Sequence, residues 1–179
     1  MIIADEDASD AEREELEEFL TADARIVRFT GVQFTKVTVA SEDSNISAYV
    51  YAPENMDSFR EDVTLRNRVT GEIYQMPEEG AAISEKTADL MDLEIGDDIV
   101  LEKDNEEYSV KISVITENYM GHYIYMTPAV YEETFGEKPV YEDIVFTVKD
   151  EYKDQAEDIG GQIVGYPAAL SISYTTSTA

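Results

Sequence analysis

Between Val110 and Val114 apolar residues occupy every second position, with Lys111 and Ser113 between them. A period of two predicts a strand with one buried face. The same reasoning predicts strands over residues 1–5, 32–41, 45–52, 141–150 and 170–177. A further strand over residues 24–30 precedes Gly31, which is the expected turn into residues 32–41. Leu16, Phe19 and Leu20 recur at spacings of three and four, which predicts a helix over 8–23 with Ser9 or Asp10 as its cap. The acids in its first turn suit the positive end of the helix dipole. Helices are also expected over 53–59, with Pro53 at the first position, over 127–136 and over 151–163. Thr127, Pro128 and Gly136 supply cap, first turn and stop for the second of these.

Turn residues punctuate the middle of the chain. Residues 66–80 read as a crossing into a new lobe. Residues 81–93 read as a short strand, a Ser84 cap and a helix. A turn at Ile95–Asp98 then leads into a hairpin whose loop is Asp104–Asn105. The order is strand–helix–strand, a strand-rich insert, then strand–helix–strand again. It predicts an α+β fold in which a split βαβ lobe, residues 1–66 with 140–179, carries an inserted lobe, residues 67–139.

Charge narrows the partners. Forty acids oppose thirteen bases in 179 residues, a formal charge of -27. Nucleic acid is excluded as a partner, because phosphate binding requires Lys and Arg to replace counterions. Anionic lipid surfaces are repelled in the same way. Cationic peptides and divalent ions are attracted. The chain has no cysteine, so disulfides and thiolate metal sites are impossible. No apolar run reaches the length of a membrane span, and the opening MIIADEDASD lacks the basic leader and long apolar core of a signal peptide.

The patterns that carry common chemistries do not occur. There is no G-x-S-x-G, H-E-x-x-H or G-x-x-x-x-G-K-[ST] sequence. Gly160–Gly165 (GGQIVG) has the wrong spacing for a dinucleotide loop and reads as a helix stop. Asp5, Asp7 and Ser9 match the start of a calcium loop, but Asp10 stands where glycine is needed and Leu16 where glutamate is needed. Asp97 and Asp98 read as turn residues before a strand. The triplet Asn45–Ser47 matches a glycosylation acceptor, a pattern common by chance. No catalytic, cofactor-binding or metal-binding residue is assigned.

One segment remains. TENYMGHYIYM, residues 116–126, holds the single histidine, His122, among three tyrosines. Alternation places Tyr123 and Tyr125 on one side of a strand and Ile124 and Met126 on the other. Tyrosine suits both a packed sheet face and a contact surface. The candidate partner-contact residues are therefore Tyr119, His122, Tyr123 and Tyr125, taken as exposed aromatics of the insert.

The stretches GEIYQMPEEGAAISEKTADLMDLEIGDDIVLE and YSVKISVITENYMGHYIYMTPAVYEETFG resemble the extracellular domain of FtsX-like ABC transporter permeases, a family that includes MacB-like permeases. The likeness lies in the ISEK helix start, the L-x-I-G-D-x-I turn and the ENY…HYIYM strand. It covers residues 71–136 well, and the flanks follow by element order. The resemblance implies a two-lobed, porter-like domain on the extracellular face of the cell membrane, between two transmembrane helices. It implies no enzymatic activity and no cofactor. It implies an indirect partner, a cytoplasmic ATPase subunit or domain, whose motion the helices transmit to an outside protein, peptide or lipid client. Both ends of the segment should then lie close together. Two rivals stand beside this reading: a stand-alone acidic extracellular protein that binds cationic peptides, and a hydrolase using His122.

Overall fold

The computed structural model describes residues 1–117 and 121–174. In chain order the elements are β1 (Ile2–Ala4), α1 (Asp10–Ala22), β2 (Ile26–Ala40), β3 (Asn45–Pro53) and α2 (Met56–Asp62). They continue with β4 (Leu65–Arg66), β5 (Ile73–Tyr74), β6 (Ala81–Ser84), α3 (Glu85–Met91), β7 (Asp98–Lys103) and β8 (Glu106–Thr116). The last are β9 (Tyr123–Tyr125), α4 (Pro128–Phe135), β10 (Asp143–Val148), a 3-10 turn over Asp150–Gln155, α5 (Ala156–Ile163) and β11 (Ala169–Ile172). The fold is α+β, as the alternation of periods predicts.

The chain forms two units, Met1–Val32 with Tyr141–Ala179, and Gln33–Val140. The first junction thus falls at residue 32, where the sequence pattern suggested 66. The reason is the destination of the apolar residues on β2 and β3. Val37 and Val39, then Ala48, Val50 and Ala52, join the core of the second unit.

In the first unit the strands run in the order β11-β1-β10-β2, each antiparallel to its neighbour. Helices α1 and α5 cover them, burying Leu16 and Leu20 from one and Ile159 and Ile163 from the other against Ile2 and Ile26. A capping box fixes where α1 begins. The Ser9 hydroxyl accepts from the Glu12 backbone, and the Glu12 carboxylate accepts from the Ser9 backbone. Arg25 then holds the helix exit, bound to Asp23, Asp158 and Gln155. The Arg25 guanidinium holds the Asp23 carboxyl below its ordinary range.

The second unit is a closed barrel. Its strands run β2-β3-β9-β6-β8-β7, and β7 pairs back onto β2 through Thr38↔Glu102 to Ala40↔Val100. Closure removes sheet edges that would otherwise invite other strands. Each strand, with Met126 just past the end of β9, sends a pair of residues two apart into the core: Val37 and Val39, Val50 and Ala52, Ile124 and Met126, Ala81 and Ile83, Val110 and Ile112, Ile99 and Leu101. Small and β-branched side chains suit so narrow an interior. From α3 and α4, Met91, Val130, Tyr131 and Phe135 complete the cluster.

Three expectations are corrected. Gly31 is no turn: it pairs with Ile144 inside one unbroken strand, β2, because β10 supplies partners in step from Val32 to Arg28 and, past a bulge, for Ile26. The second helix begins at Met56, capped by the Asn55 side chain, and Pro53 ends β3 instead of starting the helix. Gly160 and Gly161 lie inside α5. Gly160 is needed there because the Tyr174 hydroxyl occupies the place of its missing side chain. By contrast, Asp104 and Asn105 form the expected tight hairpin loop, with φ of 52° and 65°.

Candidate contact site

The strand β9 lies between β3, parallel, and β6, antiparallel. Parallel pairing sets Tyr123 beside Tyr49 and Tyr125 beside Tyr51. The aromatic–aliphatic–aromatic triplets Tyr49–Val50–Tyr51 and Tyr123–Ile124–Tyr125 therefore run in step. Their middle residues, Val50 and Ile124, enter the barrel core. Their tyrosines form a ladder on the outer face.

Phe34 of β2 extends the ladder. Its ring stacks on Tyr49 at 4.6 Å and 3°, and meets Tyr51 edge-on at 6.3 Å. Tyr123 lies 6.1 Å from Phe34 and 5.9 Å from Tyr125. At the other end Phe59 of α2 closes over Tyr51 and Tyr125, 5.8 Å from each. The ladder thus has a closed end and an open end. Tyr51, Tyr125 and Phe59 are buried, whereas Tyr49 is 36% exposed and Tyr123 and Phe34 are half-buried. Burial pushes the phenols of Tyr51, Tyr125 and Tyr123 above their ordinary range. These groups stay neutral at physiological pH.

His122 immediately precedes β9. Its carbonyl accepts from the Tyr49 backbone at 2.9 Å. Its Nδ1 lies 2.9 Å from the Thr87 hydroxyl, which lies 2.7 Å from the Ser84 hydroxyl. Burial, and then the Lys86 ammonium, lower the imidazole's affinity for a proton. The chain Ser84–Thr87–His122 has the residue types of a hydrolytic site, but both hydroxyls are fully buried. A nucleophile must reach its substrate, and these two cannot. The row ties α3 to β9. It also explains why Ser84 stands at the N-cap of α3 without a side-chain capping bond: its hydroxyl faces Thr87 instead.

Of the four candidate contact residues, Tyr123 and His122 are half-buried and accessible in part. Tyr125 is 7% exposed, so the expectation of an exposed ring is wrong for it. Phe59 covers it, a contact invisible in the alternation of the strand. Tyr119 lies outside the described residues. Phe34, Tyr49, Tyr51 and Phe59 were missed, although the repeated Tyr-aliphatic-Tyr triplet was a signal for two of them.

The acidic candidates resolve into turns. The Asp97 carboxylate accepts from the Glu94 backbone, and the Asp7 backbone donates to the Asp5 carboxylate. Among the described residues no group of three His, Cys, Asp or Glu is placed to hold a metal ion. No described helix is long and apolar enough to cross a membrane.

No protein-family model matches the sequence, and no curated protein matches it. Solved structures do. The extracellular domain of the noncanonic ABC-type transporter YknZ from Gram-positive bacteria is similar over 89% of this chain and 88% of its own, with a TM-score of 0.48 and 11% identity. The periplasmic region of MacB from Actinobacillus actinomycetemcomitans is similar over 91% of this chain and 83% of its own, with a TM-score of 0.47 and 9% identity.

Proposed function

We propose that this chain is the extracellular, non-catalytic module of a bacterial ABC-type permease. In this reading it transmits the motion of transmembrane helices, driven by a cytoplasmic ATPase, to a protein, peptide or lipid client outside the cell. The observation that carries the reading is the pairing of Met1 with Ser173, beside the last described residue. The Met1 backbone nitrogen donates to the Ser173 carbonyl at 2.6 Å, and the Ser173 backbone donates to the Met1 carbonyl at 2.9 Å. Entry and exit thus run through adjacent antiparallel strands, β1 and β11. Adjacent ends suit a module carried between two membrane helices. The buried hydroxyls beside His122 weigh against the hydrolytic rival, and the open end of the tyrosine ladder offers a surface for a client.

Topology tests it. A short tag placed in the Asp104–Asn105 turn of the full-length gene product should react with a membrane-impermeant reagent on intact cells. The tagged protein should remain with membranes after carbonate extraction and bring an ATPase with it on purification. Labelling only after cell lysis, or a product free of the membrane, would overturn the proposal.

A further inference from the structure

Helix α5 carries Gly160 and Gly161 in its interior, although glycine weakens a helix relative to alanine. One of them has a steric reason. Around the place of a side chain on Gly161, nothing lies within 4 Å. At Gly160 the three nearest atoms all belong to Tyr174: its hydroxyl, Cζ at 2.8 Å and Cε1 at 3.2 Å. The phenol end of Tyr174 therefore rests on the bare backbone of α5.

Tyr174 is the last described residue and lies two beyond β11. Its neighbour Ser173 exchanges backbone hydrogen bonds with Met1, extending the pairing of β11 with β1. The outgoing chain is thus held twice. Backbone bonds hold it to β1, and the Tyr174 ring holds it to α5. The second hold is packing without charge: from Ile159 to the carboxyl end the sequence IGGQIVGYPAALSISYTTSTA has no charged residue. It is also shallow, since Tyr174 remains 47% exposed. A half-exposed ring seated on one glycine leaves its place without opening a core.

We propose that Tyr174 and Gly160 form a releasable latch, which couples the outgoing chain to α5 while seated and frees it when unseated. Its role in transmission rests on the permease reading, in which the outgoing chain leads to a transmembrane helix. Latched, that helix moves α5 together with Ile159 and Ile163, which α5 buries in the core of the first unit. Unlatched, it pulls on β1 alone.

Chymotrypsin cuts after tyrosine, so release of the fragment 1–174 from the 179-residue chain reports the unlatched population. Gly160→Ala unseats the ring and leaves the cleavage sequence intact. The fragment should form at least about tenfold faster than from wild type, with circular dichroism unchanged. Gly161→Ala, at an exposed position of the same helix, should stay within about twofold of wild type. A urea-unfolding cycle with Tyr174→Ala gives a second measurement. Once Tyr174 is alanine, Gly160→Ala only strengthens the helix, so its midpoint shift should lie about 0.5 M or more above its shift in the wild-type background. Wild-type cleavage kinetics in Gly160→Ala, or equal midpoint shifts in the two backgrounds, would overturn the latch. Neither result touches the permease reading, which the surface labelling of the Asp104–Asn105 tag decides on its own.

Discussion

Gly80 stands immediately before β6, with φ at +74°. A side chain there would meet the Lys111 carbonyl oxygen at 2.6 Å and crowd the Ser113 hydroxyl. Two penalties follow from replacing it with alanine. An L-residue in the left-handed region costs about 1–2 kcal/mol. Forcing a methyl group into a filled space costs about 1–3 kcal/mol more. Ser113 can rotate, although it then loses its bond to the Glu79 carbonyl. The Lys111 carbonyl cannot move freely, since its strand is fixed by β6 on one side and β7 on the other. The clash therefore reaches the backbone of the barrel, close to the fully buried Ala81 and Ile83.

The sum for Gly80→Ala is about 2–5 kcal/mol, a large share of the roughly 5–15 kcal/mol that stabilises an ordinary domain. With a urea slope of about 2 kcal/mol per molar, the unfolding midpoint should fall by about 1–2.5 M. Gly71→Ala is the matched control. Its φ is also +74°, but nothing lies within 4 Å of the added carbon. It should lose only the backbone penalty, about 1–2 kcal/mol. The difference between the two variants isolates the close approach of β6 to β8. Equal midpoints for Gly80→Ala and Gly71→Ala would refute the reasoning, because the steric part would then be absent.

Other consequences can be checked by the same unfolding measurements. Phe59→Ala should cost about 3–5 kcal/mol, since the ring is buried and lids both Tyr51 and Tyr125; a loss under about 1 kcal/mol would show that the closed end of the ladder does not depend on it. The Asp143 carboxyl is raised above its ordinary range by burial, against the bond it accepts from the Ala4 backbone and with added repulsion from Glu142 and Glu6. The folded chain therefore binds this proton more tightly than the unfolded chain, and the associated stability is present at low pH and lost as pH rises through the raised value. Asp143→Asn keeps an acceptor for Ala4, so it should stabilise the first unit at neutral pH and lose that advantage on acidification; a variant less stable than wild type at pH 7 would contradict this. Asp23 has the opposite sign: its carboxyl is lowered by the Arg25 guanidinium, so its contribution is present at neutral pH and disappears as acid protonates it. Asp23→Asn should therefore lower stability at pH 7 and flatten the acid limb of a stability–pH profile.

Local signals located the elements whose causes are local. The cap of α1, expected at Ser9 or Asp10 and found at Ser9, the Asp104–Asn105 loop, and the Thr127, Pro128 and Gly136 limits of α4 depend on residues within a few positions of each other. Each was legible for that reason. Gly31 misled because a glycine between two apolar runs looks like a turn when its partner strand is unknown. Its actual partner, Ile144, arrives much later in the chain. The junction between the units was hidden by the same kind of distance. Val37 and Val39 alternate as in any half-buried strand, and nothing local says that they face Leu101 and Ile112 inside a barrel closed by β7.

The candidate site shows which long-range facts a sequence can still hold. In an antiparallel hairpin the turn fixes which residues meet, so the pairing of β7 with β8 follows from their loop. A parallel pair has no such turn, because its strands are joined by a crossover. The pairing of Tyr49 with Tyr123 and of Tyr51 with Tyr125 has to be inferred from likeness, and the two Tyr-aliphatic-Tyr triplets are alike because one face of both must pack the same layer. Likeness of this sort points to parallel neighbours, whereas charge complementarity across a strand pair points to either direction. The uncharged run from Ile159 onward carries information of another kind. Reading by period weighs where apolar residues recur and passes over where charge is missing. In a chain with forty acids, twenty-one consecutive neutral residues are as strong a pattern as any alternation.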